Sequence, residues 1–265
     1  MNTPLPPSPS ITDERTPQET PSRTARRMME ERGGEQLFIA DWADAAFLHY
    51  EVDARRLQEA VPFELDHFEG SAYVSLVAFT MRRMRLYRGG RATAWLTAPI
   101  SEHRFLNLRT YVRGAAGPGI FFIREWVDHP LAVKLGKWTY GLPYRRSRLR
   151  YRTDKDRISR EVDTPSGLVG EFSGCPEGLE FTAAPGSREA FFLERYIAYT
   201  SEGFRPLRFR VWHEPWRIRT LVPEKNTMGE FLASLDMPWS GDVREAGAQF
   251  SDGVRDVWMG RPHLA

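Results

Sequence analysis

The sequence predicts an α+β fold that is mainly β, a mixed β-barrel with a few helices outside it. Most of its segments are β-rich runs that end at glycine or proline, as strands do. Only two or three helical patterns interrupt these runs, which does not fit alternating βαβ units. The chain has 265 residues, of which 41% are hydrophobic and 12% aromatic, so it can bury a sizeable core. We expect one folded domain.

The N-terminal segment differs in composition from the rest of the chain. It holds six prolines before Ser22 and no aromatic residue before Phe38. Such a segment buries too little apolar surface to offset its conformational entropy. We therefore expect a disordered, proline-rich tail over residues 1–33, with a short helix at residues 23–32, and a single domain over residues 34–265.

Capping residues and breakers mark the helices within this domain. Asp53 is a good N-cap, and Pro62 stops the helix that follows it. Pro130 suits the first turn of the next helix, and Gly141 suits its end. The predicted helices are residues 53–61, 129–140 and 227–235.

The strands are read from β-rich stretches bounded by turn residues. Residues 71–80 (SAYVSLVAFT) are almost continuously apolar, which predicts a central strand covered on both faces. Further strands are predicted at residues 105–113, 119–127, 146–153, 167–173, 206–213 and 253–259.

Composition excludes several classes of protein. The single cysteine, Cys175, excludes an internal disulfide framework and a cysteine-rich metal site. The net charge of +2 is too balanced to indicate nucleic acid as a partner. The six histidines lack the spacing of a metal motif, and no glycine-rich phosphate loop is present. We expect no metal and no cofactor.

Location and partners follow from what the chain lacks. No apolar run is long enough to cross a membrane, and the start of the chain does not have the pattern of a signal peptide. We therefore expect a cytoplasmic protein with no membrane partner. The expected partner is a small-molecule ligand, and the sequence is also compatible with a homo-oligomer.

Seven short motifs occur in order along the chain. They begin with DWADAAFLHYEV at residue 41 and continue with NLRTYV, PGIFF, GLPY, LERY, HEPW and VRDVWM. In this order they resemble the YqjF-like family of bacterial proteins over about residues 38–260. That family is similar to the acetoacetate decarboxylase superfamily. The resemblance implies a closed, cone-like β-barrel around a buried apolar pocket, and therefore a ligand cavity.

Residues 136–145 (GKWTYGLPYR) carry the most informative part of this resemblance. The similar segment of the decarboxylases ends in two lysines, of which the first forms a Schiff base with a β-keto acid. Tyr144 and Arg145 stand in those two places, and a tyrosine has no amine with which to form an imine. The acidic partner that the decarboxylases carry on a preceding strand has no counterpart in NLRTYV, which offers Asn107 and Arg109. The resemblance therefore implies a pocket without Schiff-base decarboxylase activity.

Another lysine would have to take over that chemistry. The chain has only four, at positions 134, 137, 155 and 225. On a helical wheel of residues 131–140, Leu131, Leu135 and Trp138 share one face, and Lys134 and Lys137 lie at its flank. We expect these two lysines to be solvated, with their stems along the apolar face.

Arg109 is a candidate for binding a carboxylate. It alternates with Leu108 and shares a strand face with Asn107, so this face is either solvated or lines a cavity. If it lines a cavity, the guanidinium group of Arg109 has the geometry to hold a ligand carboxylate with two hydrogen bonds.

His213 and Glu194 are each open to two interpretations. His213, the first residue of HEPW, falls on the apolar face of its strand. It is either a group that faces the pocket or a core histidine bonded to a backbone carbonyl. Glu194 stands among apolar residues, where it is either a pocket group or part of a buried ion pair.

We interpret the protein as a binder of a small apolar or acidic molecule. The expected ligand-binding residues are Arg109, Tyr144, His213 and Glu194, because such pockets are mostly apolar with a few polar groups that orient the ligand. The alternative is an enzyme that acts on a small carbonyl or keto-acid substrate without a Schiff base. Tyr144 or His213 would then act as general acid or base, although the sequence assigns no catalytic residue.

Overall fold

The computed structural model describes residues 19–201 and 205–265. Most of these residues belong to strands, so the mainly β, α+β class is confirmed. The strands are β1 (Gln36–Val52), β2 (Glu64–Leu65), β3 (Ala72–Leu86), β4 (His103–Gly114), β5 (Gly117–Val127), β6 (Tyr144–Arg146), β7 (Arg148–Thr153), β8 (Ile158–Asp163), β9 (Val169–Thr182), β10 (Ile197–Thr200), β11 (Leu207–Trp212), β12 (Arg217–Asn226), β13 (Val243–Gly260) and β14 (His263–Leu264).

The helices are short and few. They are α1 (Pro21–Glu31), α2 (Ala54–Glu59), α3 (Ala94–Thr97), α4 (Pro130–Tyr140), α5 (Arg188–Leu193) and α6 (Met228–Ala233), with 3-10 turns at Gly90–Thr93 and Ala98–Ile100. The helices predicted at residues 53–61, 129–140 and 227–235 correspond to α2, α4 and α6. Within the described residues, no helix has the length and apolar character needed to cross a membrane.

The strands form one 14-stranded sheet. Its order is β14-β11-β10-β5-β4-β3-β1-β13-β12-β9-β8-β7, with β2 beside β4 and β6 beside β5. β11 also pairs with β13, where Val211 stands opposite Met259. This additional pairing joins β1, β3, β4, β5, β10, β11 and β13 into a ring of hydrogen-bonded strands.

Strand alternation divides the buried residues between the two sides of this ring. Phe47 and Phe105 belong to one apolar cluster, and their neighbours Leu48 and Leu106 belong to a second cluster on the opposite side. β3 is buried at every position from residue 72 to residue 81, as its continuous apolar run predicts for a strand covered on both faces. The cluster that contains Phe47 and Phe105 lies inside the ring and surrounds the cavity described below.

The two longest strands differ most from the sequence prediction. β1 is not predicted at all, and only residues 253–259 of β13 are. These strands pair with each other over most of their length, but the register shifts at several points, such as between Ala40 and Trp42. Each β-bulge reverses the order of inward and outward side chains, so the two-residue period is lost over the full strand.

The N-terminal helix is packed against the sheet. The helix predicted at residues 23–32 is present as α1, which begins after the N-cap Thr20. Met29 is fully buried, and the Ser22 hydroxyl donates a hydrogen bond of 2.7 Å to the carbonyl oxygen of His213. This part of the predicted tail is therefore folded onto the sheet, because the amphipathic helix has an apolar face to bury. The rest of the predicted tail, residues 1–18, lies outside the described residues.

Candidate functional site

A cavity of about 190 Å³ lies on the inner side of the ring of strands. Its wall is mostly aromatic and aliphatic, contributed by the ring strands and by α4. The aromatic residues that line it are Phe38, Trp42, Phe47, Phe79, Phe105, Phe122, Tyr140, Tyr144, Phe209 and Trp216. The cavity also contains a small number of polar side chains, as ligand pockets do.

The polar face of β4 points into this cavity. His103, Asn107 and Arg109 line it, whereas Leu106 and Leu108 pack in the second apolar cluster on the other side of the strand. The sequence left open whether the face of Asn107 and Arg109 is solvated or lines a cavity. The structure places it on the cavity.

Arg109 is buried at the cavity wall. Its Nη2 donates a hydrogen bond of 3.0 Å to the carbonyl oxygen of Phe192, at the end of α5. Its Nε has no hydrogen-bond partner among the described residues. Burial lowers the pKa of the Arg109 guanidinium from its usual value, and an arginine remains charged after such a shift. Arg109 therefore brings a positive charge with unused donor capacity into an apolar cavity.

Glu125 on β5 is the site residue that sequence reasoning missed. It lines the cavity, with Asn107 opposite it on β4 and Tyr144 opposite it on β6. Simple alternation from Phe122 would turn Glu125 to the other face. A register shift leaves Ile123 as an extra residue on β5, so Phe122 and Glu125 both face inward. The available signal was an acidic residue within a strand that is otherwise almost entirely apolar.

The Glu125 carboxyl group is buried, and no basic side chain in residues 19–201 or 205–265 forms an ion pair with it. Burial raises its pKa well above the usual 4.5, and the nearby Arg109 charge offsets only part of this effect. Its Oε2 has no hydrogen-bond partner among the described residues. No ion pair joins Glu125 to Arg109, so the two groups face the cavity separately.

Tyr144 reaches the cavity because of the local structure before it. Gly141 adopts a left-handed conformation with φ of 60° and ends α4, and the chain then enters β6 beside β5. Burial, together with Glu125 and Tyr140, raises the pKa of the Tyr144 hydroxyl well above 10. Tyr144 therefore keeps its proton, and its hydroxyl is available as a hydrogen-bond donor.

Both sequence interpretations of His213 hold at once. Its Nδ1 lies 2.7 Å from the carbonyl oxygen of Glu214, so Nδ1 carries the proton and donates this bond. Its ring also lines the cavity, between Trp42 and Trp216. Burial and the Arg109 charge lower the pKa of His213, the Glu214 bond partly offsets them, and the net pKa is about 4. His213 is a neutral imidazole near neutral pH, with Nε2 as its acceptor.

Glu194 lies behind the cavity wall, and the other three predicted residues line it. The Glu194 carboxylate accepts hydrogen bonds from the Tyr196 hydroxyl and from the backbone N–H of Trp216. In the described part of the chain it forms no ion pair. Its neighbours along the chain, Leu193 and Arg195, face the cavity instead. Glu194 thus supports the loop that carries Trp216. The prediction that Glu194 contacts the ligand is corrected, because the turn after α5 directs its side chain away from the cavity.

No lysine lines the cavity. All four lysines lie in the described residues, and all are exposed. The predicted apolar face of α4 is wrong, because Trp138 is 85% exposed and Leu131 is 41% exposed. The buried face instead carries Ala132, together with Leu135 and Gly136 at the cavity. Within the described residues, no group of three His, Cys, Asp or Glu side chains could hold a metal ion.

Solved structures with a similar fold are acetoacetate decarboxylase-like proteins. An acetoacetate decarboxylase from Legionella pneumophila matches with a TM-score of 0.60 and 10% identity, over 86% of this chain and 87% of that one. The enduracididine biosynthesis enzyme MppR complexed with pyruvate matches with a TM-score of 0.58 and 14% identity, over 86% and 90%. At these identities the similarity establishes the fold alone.

Sequence comparison identifies the family. The uncharacterized protein YqjF of Bacillus subtilis (strain 168) is 29% identical over 189 residues, which are 69% of this chain and 75% of that protein. The model of the DUF2071 family, described as an uncharacterized conserved protein, matches residues 39–255. The chain therefore belongs to the DUF2071 family, the YqjF-like proteins.

Proposed function

We propose that this protein binds a small, largely apolar molecule that carries a carboxylate group. In this proposal the ring of strands is a closed barrel, its inner cavity is the binding site, and Arg109 is the anchor for the carboxylate. Trp42, Trp216 and the surrounding phenylalanines contact the apolar part of the ligand. His213 and Tyr144 complete the polar contacts.

The observation that carries the proposal is the buried charge of Arg109. A charged group in an apolar environment is costly unless it is paired. No acidic side chain in the described residues forms an ion pair with Arg109, and its Nε has no partner there. A ligand carboxylate supplies the missing charge and accepts the unused hydrogen bonds. The structure of MppR complexed with pyruvate gives one protein of this fold with a small carboxylate bound.

The test is the binding of benzoate and of its neutral analogue benzamide, measured by calorimetry. In Arg109→Gln, benzoate affinity should fall about 10- to 100-fold, the effect of a hydrogen bond to a charged group. Benzamide affinity should change little. Arg148→Gln, an exposed arginine on β7 (72% exposed), is the matched control. Equal benzoate affinities for the wild type and Arg109→Gln contradict the proposal, and so does a wild type that binds neither benzoate nor pyruvate.

The absence of Schiff-base chemistry is part of the same proposal. It is supported by Tyr144 at the cavity and by the four exposed lysines. After incubation with acetoacetate and borohydride, the intact protein should show no increase in mass. An adduct that disappears in Lys137→Ala would contradict this part.

An enzymatic function is the alternative, favoured by one observation. His213 is neutral and presents Nε2 as an acceptor beside the cavity, while Glu125 is a buried acid with a raised pKa. Groups with shifted pKa values in a pocket are candidates for acid–base catalysis on an enolisable acid. Turnover of β-keto and enolisable acids that is lost in His213→Ala and Tyr144→Phe would favour the enzyme over a simple binder.

We also propose that the protein is cytoplasmic and that residues 34–265, together with α1, act as one domain. The free thiol of Cys175 and the absence of other cysteines support a reducing compartment. The balanced net charge of +2 supports a small-molecule partner in preference to nucleic acid.

A further inference from the structure

Three polar side chains form a row across neighbouring strands on the cavity side. Glu125 on β5 pairs with Asn107 on β4 and with Tyr144 on β6. Neighbouring strands lie about 4.8 Å apart, so side chains on the same face of paired positions are adjacent. All three line the cavity. We call Asn107, Glu125 and Tyr144 the cavity row.

The cavity row has hydrogen-bonding capacity that the protein itself does not use. Oε2 of Glu125 and Oδ1 of Asn107 have no partner among the described residues. Both side chains are at least nine-tenths buried, with exposed fractions of 2% and 6%. A buried polar atom without a partner costs about 1–3 kcal/mol. Such atoms beside a cavity indicate a ligand that supplies their partners.

The charge state of the row determines which ligand groups it accepts. Burial raises the pKa values of Glu125 and Tyr144 well above their usual values. A neutral carboxyl group and a phenol each present one O–H donor. Two such donors at adjacent positions in an apolar site can stabilise an oxyanion, as donors of this kind do in enzymes that form enolates.

We propose that the hydroxyl groups of Tyr144 and of the neutral Glu125 carboxyl together hold a second oxygen of the ligand, of the enolate or phenolate type. This inference rests on the proposed function, because Arg109 anchors the carboxylate of the same ligand. Arg109 is two residues from Asn107 on β4, and Glu125 and Tyr144 lie one and two strands beyond Asn107. The backbone of Arg109 is therefore about 8 Å from that of Glu125 and about 12 Å from that of Tyr144, and the side chains reach into the cavity between them. The ligand class is therefore a carboxylic acid that also carries an enolic or phenolic hydroxyl group.

Gly136 on α4 positions Tyr144 for this role. A Cβ atom at residue 136 would overlap the ring of Tyr144, so only glycine lets the ring pack beneath the helix. Gly136→Ala therefore displaces the Tyr144 hydroxyl without removing it, which separates the position of the donor from its chemistry.

The experiment compares benzoate with the three hydroxybenzoate isomers, which add one phenolic oxygen to the same carboxylate. Dissociation constants are measured by calorimetry, and circular dichroism confirms the fold of each variant. We expect at least one isomer to bind the wild type about tenfold more tightly than benzoate, the effect of one strong hydrogen bond. The preference should disappear in Tyr144→Phe and Glu125→Met, and should fall in Gly136→Ala.

Glu125→Gln is the conservative variant, because its amide keeps a donor at the same place. It should retain most of the preference, whereas a role in packing alone would be served equally well by methionine. The preference is the ratio of the isomer and benzoate affinities within one variant, and the exposed Arg148→Gln should leave both affinities unchanged.

The results that overturn the inference also separate its failure from failure of the proposed function. If benzoate binds and no isomer binds better, the paired donors are wrong and the Arg109 anchor stands. The inference also fails if the preference survives in both Tyr144→Phe and Glu125→Met. If pyruvate binds but benzoate and all three isomers do not, this inference fails alone. If the wild type binds none of these carboxylates, the proposed function fails and takes this inference with it.

Discussion

Two clusters of buried polar side chains lie side by side in this protein and differ in their hydrogen bonding. In the His49 cluster (His49, Ser75, Tyr111 and Gln249), His49 Nε2 donates to Gln249 Oε1 at 2.7 Å and Nδ1 accepts from the Ser75 hydroxyl at 2.7 Å. The Tyr111 hydroxyl lies 2.6 Å from the Ser75 oxygen. In the cavity row, atoms of Asn107 and Glu125 have no partner in the described residues.

The difference separates structural from functional polar groups. Tyr111 and Arg109 lie two residues apart on the same face of β4, yet one closes a hydrogen-bond chain and the other faces the cavity. Phe192 of α5 contacts both groups: its ring stacks on that of His49 with the centroids 3.9 Å apart, and its carbonyl oxygen accepts a bond from Arg109. A complete network stabilises the fold, whereas an incomplete one beside a cavity is available to a ligand.

The largest effect should come from breaking the complete network. His49→Leu leaves the Gln249 carbonyl without its donor and the Ser75 hydroxyl without its acceptor, which should lower the free energy of unfolding by about 3 kcal/mol. Urea unfolding measures this change. Asn107→Leu is the matched variant in the cavity row, and it should cost no more than about 1 kcal/mol because no protein partner is lost. Equal losses in the two variants would remove the distinction between the clusters.

A smaller effect should appear on acidification. The pKa of His213 is about 4 in the folded protein, below its usual 6.5, so the unfolded chain binds the proton more tightly. Titration of His213 therefore costs no stability well above pH 6.5, and the free energy of unfolding falls as the pH drops from 6.5 toward 4. Between pH 6.5 and 5 this group should account for about 2 kcal/mol of lost stability.

Urea unfolding of wild type and His213→Gln at several pH values measures the contribution of His213. The variant should show the shallower dependence on pH. His67→Gln, at an exposed histidine, should follow the wild type. Parallel curves for wild type and His213→Gln would show that His213 titrates alike in the folded and unfolded chain.

The smallest effect should be a gain in stability. Burial raises the pKa of Glu125, so the unfolded chain releases this proton more readily, and the free energy of unfolding falls as the pH rises above 4.5. Glu125→Gln removes this penalty and should raise the free energy of unfolding by about 1 kcal/mol at neutral pH. Thermal unfolding without ligand tests it, with the exposed Glu102→Gln as control (67% exposed). A loss of stability in Glu125→Gln would mean that the ionised carboxylate is required by the fold.

Local signals in the sequence predicted much of the site. The alternation of β4 predicted that Asn107 and Arg109 share one face of the strand. The alternation of residues 207–213 predicted that His213, directly after β11, lies on the apolar face. GLPY placed Tyr144 after a helix that ends at Gly141. Each of these signals depends on neighbours within a few residues, so tertiary contacts leave them unchanged.

Local sequence signals could not predict the direction in which the side chains of Glu125 and Glu194 point. The bulge in β5 turns Glu125 inward, and a bulge follows from the pairing of two strands and not from one of them. Glu194 follows α5, and its direction depends on the hydrogen bonds with Tyr196 and Trp216. Both residues stand in apolar surroundings, which mark a charged residue as unusual without indicating where it points.

The sequence by itself determined the mainly β class, the family, and the tyrosine at position 144 in the GLPY motif. Alternation, capping and motif order carry this information locally along the chain. Only the tertiary structure decided that the polar face of β4 lines a cavity, that α1 packs on the sheet, and that Glu125 joins the site. These features depend on strand register and on contacts between distant residues, such as Ser22 with His213, which no local pattern encodes.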